Sequence, residues 1–238
     1  MSKYEYNSWP LGKLPKKFQR AEPEEIKKHG YQWADPRDIV NIFEEKVATW
    51  AGAKYGVAVD CCSNAIFLSL QYLLAKRIIY KGDDITIPNR TYVSVPMQIL
   101  HAGLKVRFSY KQWSGIYQID PTNIWDAAVR WTKNMYIDGS LMCLSFQVKK
   151  KVPIGRGGMI LTDDKDAYEW LKLASYDGRD LTTHFTETGH LKILGWHMYM
   201  TPEDAARGIL LMDQVPETNP DWGTNENYID VSKAIRDL

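Results

Sequence analysis

Apolar residues recur along the chain with two periods, and the period changes several times. Ile39, Val40, Phe43, Val47 and Ala51 fall at helical spacing behind Asp35-Pro36, and Gly52 follows as a stop. The β-branched run at residues 56–59 then predicts a strand, residues 60–64 a small polar turn, and residues 65–74 an apolar helix. The same alternation continues with a strand at 84–88, a helix at 93–101 closed by Gly103, and a strand at 105–108. Further strands are expected at 124–125, 142–146 and 159–161. A helix follows through Ala167, Trp170, Leu171 and Leu173, and a last one begins at Thr201-Pro202. Alternating strands and helices predict an α/β three-layer sandwich with a mainly parallel sheet, whose ligands bind beyond the carboxyl ends of the strands. Residues 1–34 are rich in Pro, Lys and Glu without clean periodicity and read as an extended N-terminal arm. Residues 35–215 then form the large domain and residues 216–238 a short C-terminal tail.

Composition narrows the range of partners. Thirty basic against 29 acidic side chains give a formal charge of +1, so no global field selects nucleic acid or an anionic membrane. The residues expected at a signal peptide are absent from positions 1–10, and no apolar run is long enough to span a bilayer. Three cysteines, two of them adjacent, match neither a disulfide framework nor a metal-ligand spacing, which fits a reducing cytoplasm.

Three segments carry candidate chemistry. Asp60 to Asn64 lies between a strand and a helix, where free N–H groups and the positive helix end converge on small side chains. Ser63 or Asn64 there either caps the helix or belongs to an anion site. Cys62 has no base nearby in sequence to make it a nucleophile. Asp126 follows a strand-like pair, which places a carboxylate at a strand end, where it can also cap a helix. The run from Leu144 to Lys151, followed by Pro153 to Gly158, delivers polar residues from a strand into a glycine turn. Taken singly, a triple lysine is a solvated face and a G-R-G-G turn a tight reversal.

Together these segments resemble a known family. The pattern S-F-x-x-x-K-x-x-x-x-G-x-G-G-x-x-x-T-D-D from Ser145 is similar to the Schiff-base lysine segment of the DegT/DnrJ/EryC1/StrS sugar aminotransferases. F-E-x-x-V-A-x-W-A-G-A-K-Y from Phe43 and G-D-D-I-T-I-P from Gly82 resemble the family's first helix and its next strand. Asp177-Gly178-Arg179, the stretch from Gly195 to Met200, and Ala205-Ala206-Arg207-Gly208 resemble its later segments. The likeness runs roughly over residues 36–213.

The resemblance implies a fold-type-I large domain that binds pyridoxal 5'-phosphate (PLP) and transfers an amino group to a keto-sugar nucleotide, with glutamate as a plausible donor. It implies Lys150 as the residue of the internal aldimine, and as the general acid/base once released. Ser63 with the neighbouring Cys62 backbone would hold the cofactor phosphate, and Ser145 would add a second hydroxyl. Tyr92 would stack on the pyridine ring, or else serve as a core aromatic. Asp126 would pair with the pyridinium nitrogen. His197 stands where the family has an asparagine that reaches the phosphate of the neighbouring subunit, and Tyr199 where it has an arginine. Val129 replaces a residue that touches the cofactor's phenolic oxygen, a contact then missing or supplied by Arg130. Sugar dehydratases of the family carry histidine in place of the Schiff-base lysine. A homodimer follows from the resemblance, and the C-terminal small domain of the family is expected to be largely missing. A non-catalytic, subunit-type relative is the alternative. Lys150 is chosen over Lys149 and Lys151 because it lies five residues after Ser145 and five before Gly155. Strand alternation would turn those two neighbours away from the pocket.

Overall fold

The computed structural model describes residues 16–183 and 189–235. Its first helix, α1 (Glu22–Lys28), falls within the segment expected to be extended. The expectation failed because α1 buries one residue, Ile26, and so shows no stripe in the sequence. Arg20 binds Asp204 at 2.6 Å and Arg207 binds Glu22 at 2.5 Å, which fasten α1 to a later helix, α6 (Pro202–Met212). Residues 1–15 of the expected arm lie outside the described residues.

The helix α2 (Asp38–Ala51) buries Ile39, Val40, Phe43 and Val47 along one face, and Gly52 ends it at φ +86°, a conformation that suits glycine. After it come β1 (Tyr55–Val59), α3 (Cys62–Ala75), β2 (Asp84–Pro88), α4 (Ser94–His101) and β3 (Lys105–Ser109). The strands β4 (Tyr117–Ile119), β5 (Ile124–Asp126), β6 (Leu141–Ser145) and β7 (Gly158–Thr162) follow, with α5 (Lys165–Ser175) before α6 and a short α7 (Val231–Ala234) near the end.

One sheet has the order β1-β7-β6-β5-β4, and β2-β3 form a second, parallel pair. An antiparallel bridge between Thr86 and Asp120 links β2 to the end of β4. The larger sheet is mostly antiparallel, not mainly parallel as expected. In the five-stranded sheet only β5 and β6 pair in parallel; β1 with β7, β7 with β6, and β5 with β4 are antiparallel. The connections explain it. Residues 120–123 are too few for a crossover, and residues 146–157 return from β6 to β7 through turns without a helix. Because β1, β5 and β6 nevertheless share one direction, Asp126 and Ser145 finish their strands on the same edge of the sheet.

Alternation along the strands builds the layers. Val57, Val59, Leu141, Cys143 and Ile160 pack with α3, α4 and α5 on one face. Ala58, Met142, Leu144, Met159 and Leu161 pack with α2 and α6 on the other. This is a three-layer α/β sandwich. Between α2, β1 and α5, the buried Glu44 carboxylate accepts the Ala58 N–H at 2.7 Å and the Lys172 ammonium at 2.8 Å.

Candidate active site

A cavity of about 640 Å³ opens at the strand ends. Strand β1 leads through Asp60 into α3, whose N-cap Cys61 is extended and offers no side-chain cap, so neither Ser63 nor Asn64 caps this helix. The first turn can sit so close to the sheet because of Gly158, where a Cβ would lie 2.5 Å from the backbone of Cys61 and Cys62. Ser63 Oγ meets Ser94 Oγ at 2.6 Å, joining the first turns of α3 and α4. Asp60 is fixed from two sides, by Arg156 at 2.8 Å and by Asn64 Nδ2 at 2.7 Å. The result is an uncapped helix N-terminus with two hydroxyls, an arrangement that receives an anion.

On the inner wall stands Asp126, the last residue of β5. It lies in register with Tyr117 on the antiparallel neighbour β4, and Tyr117 Oη donates to its Oδ2 at 2.7 Å. Its Oδ1 accepts the Ala128 N–H at 2.9 Å. Burial pushes the carboxyl upward, while the Tyr117 and Ala128 donors and the Lys150 charge oppose the push. Lys150 lines the same cavity from the β6–β7 connection. Burial raises the Cys62 thiol well above the ordinary range, with Asp126 adding to the shift and Lys150 opposing it. Cys62 is thus a neutral wall of the site.

Of the sequence candidates, Cys62, Ser63, Tyr92, Asp126, Ser145 and Lys150 all line this one cavity. Tyr92 is 58% exposed, which excludes the core reading. His197 is not brought there: its Nδ1 lies 3.0 Å from Asp177 and its ring meets Tyr199 edge-on at 4.7 Å. Arg130 is committed to Asp221 at 2.7 Å and 3.0 Å, while Val129 itself lines the cavity. The expectation that strand alternation turns Lys149 away from the pocket is overturned, while Lys151 does lie outside the cavity lining. Residues 147–151 form a turn, with Lys150 N–H donating to Gln147 O at 2.8 Å, and Lys149 lines the cavity beside Lys150. Lys151 instead rests over the Trp222 ring, 5.5 Å from its centre.

Sequence reasoning missed Tyr117, Thr91, Ser94, Trp113 and Tyr228, which complete the walls. Tyr117 reaches Asp126 only through strand pairing, and Tyr228 belongs to the segment read as a tail. That segment is pinned across the cavity, with Gly115 N–H donating to Gly223 O and Val231 N–H to Asn89 O, both at 2.8 Å. No helix among the described residues is long and apolar enough to cross a membrane.

A three-layer α/β fold with a lysine, a buried carboxylate and an uncapped helix in one cleft defines the class to which comparison with known proteins then gives a family. The model of the DegT/DnrJ/EryC1/StrS aminotransferase family matches residues 16–135 and 133–229, and the chain belongs to that family. It is 25% identical over 189 residues to the spore coat polysaccharide biosynthesis protein SpsC of Bacillus subtilis (strain 168), covering 61% of this chain and 47% of that protein. Among solved structures, AtS13 from Actinomadura melliaura aligns with a TM-score of 0.67 at 20% identity, over 81% of this chain and 63% of that one. The E. coli GDP-4-keto-6-deoxy-D-mannose-3-dehydratase with bound hydrated PLP aligns with a TM-score of 0.65 at 18% identity, over 89% and 67%. These likenesses establish the fold. The chain spans about half the length of the curated relative, 47%, and about two thirds of the solved structures.

Proposed function

We propose that this chain forms the cofactor-binding part of a PLP-dependent aminotransferase acting on a keto-sugar nucleotide, with Lys150 as its Schiff-base residue. The observation that carries the reading is the meeting, in one cavity, of Lys150, the buried Asp126 and the uncapped first turn of α3. The donor set fits PLP, which has an anionic end, a ring nitrogen that takes a proton and a carbonyl that takes an amine. The first turn of α3 with Ser63 and Ser94 would hold the phosphate, Asp126 the ring nitrogen, and Tyr92 a ring face. When bound, the cofactor supplies an electron sink for the substrate carbon.

The residues then divide the work. Asp126, held by the Tyr117 and Ala128 donors, would face the ring nitrogen and favour the proton there. Lys150 Nζ would serve as the general acid and base that carries the proton removed from the donor's α-carbon. Ser145 and the Ser63–Ser94 pair orient, and the pinned segment at 223–231 with Tyr228 limits water. A lysine at position 150 favours amino transfer over the dehydratase branch, whose implied residue is histidine. A homodimer is part of the proposal, supported by the exposed apolar rim of Tyr92, Val93 and Ile229. The free cysteines Cys61, Cys62 and Cys143 support a reducing cytoplasmic setting.

The test is conversion of glutamate to 2-oxoglutarate with a panel of keto-sugar nucleotides, with PLP added or withheld. PLP-dependent amino-sugar formation, lost in Lys150→Ala, is expected. A visible PLP band without transfer to any panel member would instead favour the non-catalytic relative.

A further inference from the structure

We propose that Tyr117, backed by Thr91, is a positioning residue that holds the Asp126 carboxylate in its acceptor form and aims it into the cavity. The inference rests on the cofactor reading of Asp126 given above, but it concerns side chains present in the free chain.

The geometry fixes the direction of the relay. Thr91, Tyr117 and Asp126 are buried at 1%, 7% and 6% exposure. Tyr117 Oη donates its only proton to Asp126 Oδ2 at 2.7 Å. It is also hydrogen-bonded to Thr91 Oγ1. With the phenol proton spent on Asp126, Thr91 must be the donor in that second bond. The two hydroxyls therefore form a donor chain, Thr91 to Tyr117 and Tyr117 to the carboxylate, in which each bond strengthens the next in a buried setting. The Tyr117 ring is itself clamped, since Trp113 packs on it with centroids 5.0 Å apart.

The relay answers an electrostatic difficulty. Burial drives Asp126 toward its neutral form, and the strongest opposing influence is the Tyr117 hydrogen bond. Among the described residues, the titratable groups that face Asp126 are Tyr117 on β4, Cys62 on α3, Cys143 on β6, Lys150 in the β6–β7 connection, and Tyr228 beyond α6. The two thiols and both phenols are pushed upward by burial, so at neutral pH they carry no charge. Lys150 is thus the single cation in this set, and it would be engaged with the cofactor during the reaction. The Tyr117 proton is then the side-chain influence that persists.

The experiment follows the Asp126 carboxyl carbon by NMR through a pH titration of the cofactor-free chain, with Asp126→Asn supplying the assignment. Tyr117→Phe keeps the ring and removes the donor, and its Asp126 midpoint should rise by about one to two pH units, the value of a hydrogen bond to a charged group. Thr91→Val should move it in the same direction by less. A purely structural role would lower the melting temperature and leave the midpoint where it is. An unmoved midpoint in folded Tyr117→Phe overturns the proposal. If that variant does not fold, an unmoved midpoint in Thr91→Val overturns it. Failure of the wild-type chain to bind PLP would count against the aminotransferase reading alone, because the titration needs no cofactor.

Discussion

Gly158 is the residue at which the fold and the proposed site depend on each other most sharply. It pairs with Val59 on one side and Ser145 on the other, so its backbone is held by two neighbouring strands. A Cβ there would stand 2.5 Å from Cys61 C and Cys62 N, and 2.7 Å from Cys61 O. Ordinary contact starts near 3.4 Å, so the Gly158→Ala methyl intrudes by roughly 1 Å. Since β7 cannot retreat without breaking both pairings, the first turn of α3 must move. Overpacking of this kind costs about 1–3 kcal/mol, measurable as a lower urea midpoint. The same displacement carries the helix N–H groups away from the anion they would hold, and misplacement by about 1 Å is enough for large losses at a site. Gly158→Ala should therefore stay folded while its PLP affinity, read by absorbance titration, falls at least about tenfold. Wild-type affinity in this variant would refute the claim that the first turn of α3 carries the phosphate.

Two further perturbations separate stability from site chemistry. Lys172→Met strands the Glu44 carboxylate, buried to 3% exposure, and should cost about 3–5 kcal/mol in urea unfolding. Burial is the largest influence on Glu44 and raises its carboxyl, so the folded variant holds a proton more tightly than the unfolded chain. Its deficit must accordingly shrink as pH falls from neutral into the acid range; a deficit independent of pH would contradict the origin given for it. Asp126→Asn keeps one acceptor for the Tyr117 and Ala128 donors and removes the titratable carboxyl. It should change unfolding free energy by less than about 1 kcal/mol while weakening PLP binding at least about tenfold, and unchanged binding would separate Asp126 from the ring nitrogen.

Local patterns were legible where burial is strong and continuous. The stripe Ile39, Val40, Phe43, Val47 became α2, and the β-branched run before Asp60 became β1. Asp126 could be placed because a carboxylate at the end of a strand is a local feature. What depends on pairing was hidden. β4 has three residues and no period, so Tyr117 and its bond to Asp126 could not be seen. Strand directions depend on whether a connection carries a helix, and the stretch 146–157 looks no different in sequence from one that does. Strand alternation does not apply to the lysine run, because the chain has left β6 at Ser145 and entered a turn, where Lys149 and Lys150 share a side. His197 followed from resemblance alone, as a residue reaching a neighbouring subunit, and within this chain its contacts are with Asp177 and Tyr199.

The presence of Lys149 beside Lys150 on the cavity wall makes the central claim open to a direct chemical decision. The chain is mixed with PLP, reduced with borohydride, digested and mapped by mass spectrometry. The account predicts a pyridoxyl group on Lys150, absent from Lys150→Ala and retained in Lys149→Ala. A stable adduct on Lys149 or Lys151, or none on any lysine between β6 and β7, would contradict it.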